Sequence, residues 1–263
     1  MIVDGKKIAE DIYSQIGSEL NSKKKHPVLC VLTCAPNAET RKYLNLKKEK
    51  ASLLGIDMMV VDFYEEIPTA EVLEALDTAM TGNDGIIVQL PFPAHVDVDA
   101  LFKKIPPHLD TDMINYDGSS EVLPPVIAAI KEIADRSNVE FAGKQVVVIG
   151  RGRLVGKPAA IWAEAKGAMV TVIDKGTENA EEIIRSADII ISGAGSPGLL
   201  TPDKIKEGVI IFDAGTSEEG GMLKGDADPE CAAKCALFTP VPGGIGPITI
   251  AALLRNLVVM SKE

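Results

Sequence analysis

Short apolar runs rich in β-branched residues recur along the chain, first at 28–32, 58–63 and 85–89, then at 146–149, 169–173, 189–191 and 209–212. Between them, apolar positions fall at helical spacing over 40–54 and 69–80 in the first series, and over 158–166 and 180–185 in the second. Continuous apolar strands separated by amphipathic helices predict parallel sheets covered on both faces. A helical pattern over 126–134 and the polar Arg136-Ser137-Asn138 divide the two series. The expected fold class is therefore α/β with two domains, residues 1–122 and a Rossmann-like parallel-sheet domain at 123–246. The apolar run 250–259 reads as a closing helix, and residues 247–263 are expected to pack back on the first domain.

Composition narrows the function more than the fold. Of 263 residues, 46% are hydrophobic and 25% charged, as in an ordinary globular enzyme. A net charge of −11 leaves no basic surface for nucleic acid. No apolar run approaches a membrane span and the N-terminus lacks a signal-peptide pattern, so the expected location is the cytoplasm. Cys30/Cys34 and Cys231/Cys235 form two equally spaced pairs, which could be read as a zinc site. The first pair lies in an apolar strand and the second in a helical stretch, so reduced core cysteine is expected and no metal.

The strand at 145–149 runs into Gly150-Arg151-Gly152-Arg153-Leu154-Val155-Gly156, and Lys157-Pro158 opens a helix. Strand, glycine turn and helix in that order match a dinucleotide site, although the third glycine arrives one residue late. Asp174 ends the next strand, where an acid bonds a ribose 2′-hydroxyl and repels a 2′-phosphate. It could equally be an ordinary strand-end aspartate. Arg151, Arg153 and Lys175 could each meet a phosphate instead.

In the first series, Tyr43 and Lys47 share a helix face, being four residues apart. Lys42, Lys48 and Lys50 read as solvated charges. Lys47 differs because Gln89 ends a nearby strand, where an open α/β sheet places its ligand. A lysine desolvated there has a lowered pKa and can exchange protons near neutrality. Late in the chain, Thr239-Pro240-Val241-Pro242-Gly243-Gly244-Ile245-Gly246-Pro247-Ile248-Thr249 reads as a loop of one specific shape before the closing helix. Such a loop suits a flat polar ligand, or is simply a tight turn.

Nearly end to end, the chain resembles the bifunctional methylenetetrahydrofolate dehydrogenase/cyclohydrolase family (FolD). The matching stretches are Asp4-Gly5-Lys6, Tyr43-x-x-x-Lys47, Asp84-Gly85-Ile86-Ile87-Val88-Gln89-Leu90-Pro91-Phe92-Pro93, Gly150-Arg151 through Pro158, Ile205-Lys206-Glu207-Gly208 and the proline-glycine loop. The resemblance implies oxidation of 5,10-methylenetetrahydrofolate with NAD or NADP, then hydrolysis of the methenyl product to 10-formyltetrahydrofolate. It gives Lys47 the proton handling, Tyr43 packing on the folate, Gln89 tuning of the lysine and Asp112 the grip on the pterin. Thr40, Leu90, Pro91, Pro242, Gly243 and Gly244 would complete the folate site. Gly150, Arg151, Gly152, Val155, Gly156, Asp174, Lys175 and Thr216 would hold the cofactor. A homodimer is also implied.

Several positions depart from the family. Its Lys-Asp-Val-Asp-Gly is here Leu109-Asp110-Thr111-Asp112-Met113, and its Cys-Thr-Pro is Leu123-Pro124-Pro125. Gly152 replaces a serine, and Asp174-Lys175 stands where many members have His-Ser. Asp174 tilts the expectation toward NAD, against a family default of NADP. Three other readings are a monofunctional dehydrogenase of this family, a dehydrogenase of another small substrate, and an inactive nucleotide-binding regulator. Tyr43, Lys47 and Gln89 together argue against the second, and retention of Lys47 and Asp112 against the third.

Overall fold

The computed structural model describes residues 1–261 and divides into two compact units, each discontinuous in sequence. One comprises Met1–Glu10 and Tyr116–Thr249, the other Asp11–Asn115 and Ile250–Glu263. The boundary falls at 115/116 where 122/123 was expected, and Met1–Glu10 group with the later residues, while Ile250–Glu263 group with the earlier ones. The first residues join the later unit because Val3 N donates to Phe238 O (2.9 Å) and Phe238 N to Met1 O (2.8 Å).

In the unit containing Lys47, strand β1 (Val28–Cys34) lies between β2 (Asp57–Phe63) and β3 (Gly85–Val88), with both pairings parallel. β1 runs two residues further than expected, and β3 stops one short of Gln89. One face of β1, Cys30, Leu32 and Cys34, packs in a core with Val72 and Leu76 of α3 (Thr69–Ala79) and Leu101 and Phe102 of α4 (Val98–Lys104). α2 (Ala38–Leu53) starts at an Asn37 cap whose side chain accepts from Thr40 N at 2.8 Å. Neither α1 (Gly5–Leu20) nor the seven-residue α4 was expected, although α1 buries Ile12, Ile16 and Leu20 at helical spacing.

The other unit carries a five-stranded sheet of β4 (Gln145–Ile149), β5 (Met169–Ile173), β6 (Ile189–Ser192), β7 (Ile210–Asp213) and β10 (Leu237–Phe238). Its order is β10-β7-β6-β4-β5, and every neighbouring pair is parallel. The chain order reverses between β4 and β6, and ligands of such sheets bind at that switch point, beyond the strands' carboxyl ends. Helices α5 (Pro125–Arg136), α6 (Gly156–Ala165) and α7 (Ala180–Ser186) belong to this unit. Pro125 occupies the first turn of α5, which gives the Leu123-Pro124-Pro125 departure a structural use. An unexpected hairpin pairs β8 (Ser217–Glu219) with β9 (Met222–Lys224).

Two expectations need correction here. Cys231 lies in a 3-10 helix, Pro229–Ala233, and Cys235 lies beyond it, rather than both on an α-helix. All four cysteines are free and buried. The last helix, α8 (Ile245–Met260), begins five residues before the expected start, so the loop is shorter than the proline-glycine run. Pro247 fits its first turn because the first backbone N–H groups of a helix have no acceptor within it.

Candidate active site

Helix α2 buries Thr40, Leu44, Lys47 and Ala51 on one face and leaves Lys42 and Lys48 exposed on another. Lys47 is only 4% exposed. Its Nζ donates to Gln89 Oε1 at 2.8 Å and lies 4.9 Å from the centroid of the Tyr43 ring. Gln89 is itself fixed, since its backbone N–H donates to Leu32 O (2.8 Å) and its Nε2 to Leu90 O (3.0 Å). The amide therefore presents its oxygen to the lysine. Burial pushes the Lys47 pKa down, and the Asp112 charge pulls it partly back. Burial pushes Asp112 up, opposed by Lys47, and raises Tyr43 as well. The structure thus brings together Tyr43, Lys47, Gln89 and Asp112 at the carboxyl ends of β1 and β3.

Asp112 rides on a turn built by its neighbours. Leu109 O accepts from Ile86 N at 2.7 Å, tying the turn to β3. Asn256 of α8, 6% exposed, donates Nδ2 to Thr111 O at 3.3 Å. Gly85 leaves the space: a Cβ there would sit 2.2 Å from Thr111 Oγ1 and 2.5 Å from Leu257 Cδ1. Met113 has φ of 49°, a left-handed conformation that a glycine adopts without strain.

Asp110, 4% exposed, accepts from the backbone N–H groups of Met113, Ile114 and Asn115. Burial nonetheless dominates and raises its pKa from 3.8 to about 6. A folded-state pKa above the unfolded one contributes stability that is full below pH 3.8 and lost as pH rises through about 6. Asp110→Asn does not titrate. Relative to the parent, it should therefore gain stability between pH 4 and pH 7, by about 2 kcal/mol at ~1.4 kcal/mol per unit. Thermal melts of both proteins at those two pH values check this, and a pH-independent difference in midpoint contradicts it.

In the second unit, β4 passes into the glycine turn and α6. Gly150 has φ of 101°, and a Cβ on Gly156 would sit 2.0 Å from Gly150 O. The late third glycine thus still makes the close helix–turn packing that the fingerprint requires. A Cβ on Gly152 would meet nothing within 4 Å. No protein neighbour demands that glycine, and the open space is the approach a pyrophosphate needs. The cradle fits a dinucleotide.

Behind it, on the β6 side of the switch point, lies a network that pattern reading did not find. Asp226, 0% exposed, accepts from Ser192 Oγ (2.6 Å), Ala194 N (2.8 Å) and Ser196 N (2.5 Å). Asp213 accepts from Gly215 N (2.9 Å) and Ala227 N (2.8 Å). Burial and the neighbouring Asp226 raise the Asp213 pKa to about 6. The loop clamped by Asp226 begins with Gly193, where a Cβ would lie 2.5 Å from Val155 Cγ1 of the glycine turn.

Two family models cover almost the whole chain. Residues 3–112 match "Tetrahydrofolate dehydrogenase/cyclohydrolase, catalytic domain", and residues 124–263 match its "NAD(P)-binding domain". The chain belongs to this family. A relative from Lactobacillus johnsonii, "Bifunctional protein FolD 2", is 34% identical over 275 residues, spanning 100% of this chain and 98% of its own. The solved structure of the bifunctional FolD enzyme from Campylobacter jejuni superposes with a TM-score of 0.93 at 32% identity, over 99% of this chain and 98% of that one. That of Trypanosoma brucei FolD, complexed with NADP and an inhibitor, gives 0.90 at 30% identity, over 99% and 96%.

The remaining family positions are distributed as follows. Thr40 is buried at the start of α2, and Leu90 and Pro91 follow Gln89. Pro242, Gly243 and Gly244 form the turn before α8, in the unit that holds the glycine turn at 150–156. Gly5 braces that turn: its N–H donates to Gly243 O (2.9 Å), and a Cβ there would lie 1.8 Å from Gly244 O. This gives the Asp4-Gly5-Lys6 motif a physical reason. Val155 lies just before α6, Thr216 is exposed after β7, and Asp174 and Lys175 are exposed after β5. Among the described residues no group of three or more His, Cys, Asp or Glu side chains could hold a metal ion. No described helix is long and apolar enough to cross a membrane.

Proposed function

We propose that the protein oxidises 5,10-methylenetetrahydrofolate to the methenyl cation with NAD(P)+ and hydrolyses that cation to 10-formyltetrahydrofolate. The observation that carries this reading is a buried lysine held by a fixed glutamine oxygen, with an aromatic ring on one side and a carboxylate close by. The bound nicotinamide supplies the hydride acceptor for the first reaction. Gly150, Arg151, Gly152, Val155, Gly156, Asp174, Lys175 and Thr216 would hold the dinucleotide.

The second reaction belongs to the side chains of the first unit. Desolvation favours the neutral amine of Lys47. While donating to Gln89 Oε1, that amine keeps a lone pair that can take a proton from water as its oxygen bonds to the methenyl carbon. The same proton passes to N5 as the N5–carbon bond breaks. The new hydroxyl loses its proton to solvent as the N10 formyl group forms, so one proton is released per cation hydrolysed. Tyr43 would pack on the folate and orient it. Asp112 would accept two hydrogen bonds from the amino-pyrimidine edge and, through its charge, stop Lys47 from losing its proton affinity altogether. Thr40, Leu90, Pro91, Pro242, Gly243 and Gly244 would complete the folate contacts. The enzyme would work in the cytoplasm as a homodimer.

A steady-state assay with methylenetetrahydrofolate tests both steps: methenyl absorbance should rise with added dinucleotide and then decay enzymatically. Absence of any rise overturns the reading. A rise followed only by the uncatalysed decay leaves a dehydrogenase alone.

A further inference from the structure

At the end of β5 the chain holds both groups that decide a dinucleotide's 2′ substituent, and the structure joins them. An acid at this strand end bonds a ribose 2′-hydroxyl, whereas an arginine nearby accommodates a 2′-phosphate. Here Arg151 Nε donates to Asp174 Oδ2 at 2.5 Å, and Arg151 Nη2 donates to Val172 O at 3.3 Å. Two of the guanidinium's donor nitrogens are therefore spent on the strand end itself.

The pairing alone would not deny Arg151 to a phosphate. Both partners are exposed, 62% and 40% by side chain, and exposed ion pairs are weak. The carboxylate decides the matter because it is anchored independently of the arginine. Its Oδ1 accepts from Gly176 N (2.9 Å) and Thr177 Oγ1 (3.4 Å), and Asp174 N donates to Thr177 Oγ1 (2.9 Å). Thr177 N also donates to Asp174 O at 3.0 Å, closing the turn. If Arg151 swung toward a 2′-phosphate, it would leave this fixed negative charge facing a dianion. Lys175 follows as a point charge without the planar fork that matches a phosphate.

We propose that the anchored Asp174 carboxylate, by holding Arg151 and excluding a 2′-phosphate, makes this chain an NAD-selective member of its family. The proposal rests on the dinucleotide-binding reading above. A 2′-hydroxyl can donate to Asp174 without displacing Arg151, so NAD+ leaves the pair in place. A 2′-phosphate must break it.

Calorimetric titration of the full chain with NAD+ and with NADP+ reads this directly and does not depend on turnover. The parent should bind NAD+ at least about tenfold more tightly. Asp174→Ser removes the charge and frees Arg151, and should shift the ratio about tenfold or more toward NADP+. Arg151→Ala added to Asp174→Ser should remove the gained NADP+ affinity, assigning it to the guanidinium. Equal or tighter NADP+ binding by the parent, or an unchanged ratio in Asp174→Ser, overturns this proposal and leaves the dehydrogenase reading intact. Binding of neither dinucleotide overturns both.

Discussion

Lys47→Ala is expected to slow methenyltetrahydrofolate hydrolysis by about 10²–10⁴-fold, the range that a positioned proton carrier supplies. The loss should fall on kcat, because the side chain acts on the proton of attacking water and holds little of the folate. Folding should survive, since burial disfavours the lysine's own charge and its removal relieves that cost. Lys47→Arg separates charge from proton transfer. It keeps a cation beside Gln89 and Asp112, yet a guanidinium does not give up its proton in proteins, so hydrolysis should remain as low as in Lys47→Ala. Decay of methenyl absorbance with purified variants, alongside circular dichroism, provides the measurement. Hydrolysis within threefold of the parent in the alanine variant would remove Lys47 from the mechanism.

Asp226→Ala should destabilise the nucleotide-binding unit and loosen its loop at Gly193. Its carboxylate takes the Ser192 hydroxyl and the N–H groups of Ala194 and Ser196, and nothing else in the network can replace it. Leaving a buried donor unpaired costs about 1–3 kcal/mol; Ser192 is buried, whereas Ala194 is exposed and Ser196 half-buried and can turn to water, so the loss should be on the order of 2 kcal/mol. For a chain of this size that is a fall of about 5 °C in Tm. Asp226→Asn should fall between the two. Each carboxylate oxygen accepts a backbone N–H, so the amide must turn its NH2 group toward one of them. Release of the loop at Gly193 should also raise KM for the dinucleotide, because that glycine abuts Val155 of the cofactor turn. Differential scanning calorimetry and a dinucleotide titration measure the two effects. An alanine variant that melts within 2 °C of the parent contradicts the assignment.

How much of this was legible depended on whether the cause was local. β1, β3, β4 and β6 are buried on both faces, so each appeared as a continuous apolar run. Tyr43 and Lys47 share a helix face one turn apart, a relation that spacing alone reveals. α8 was misread at its start because prolines and glycines signal loops, while the first helical turn tolerates them. The β8–β9 hairpin is mostly exposed and offered no apolar alternation, although Gly220 and Gly221 marked its turn. Asn256 gave no local signal of its role, because its partner is a main-chain carbonyl 145 residues away. Asp226 was hidden in the same way: two of its three donors are backbone groups, which leave no trace in side-chain identity.

The path of the chain between its two units has a consequence for synthesis. The unit holding Lys47, Gln89 and Asp112 is laid down early, but it includes α8 residues from Ile250 onward, which are made only after the whole nucleotide-binding segment. Until Asn256 emerges, the turn carrying Asp112 lacks the side chain that takes the Thr111 carbonyl, and the Leu257 contact at Gly85 is missing. A ribosome stalled before α8 would therefore carry an unfinished catalytic unit whatever the state of the segment that follows it. Proteins fold domain by domain from the N-terminus where they can, but here completion of the earlier unit is a late event. Catalytic competence becomes a check that the chain has been made through to its closing helix.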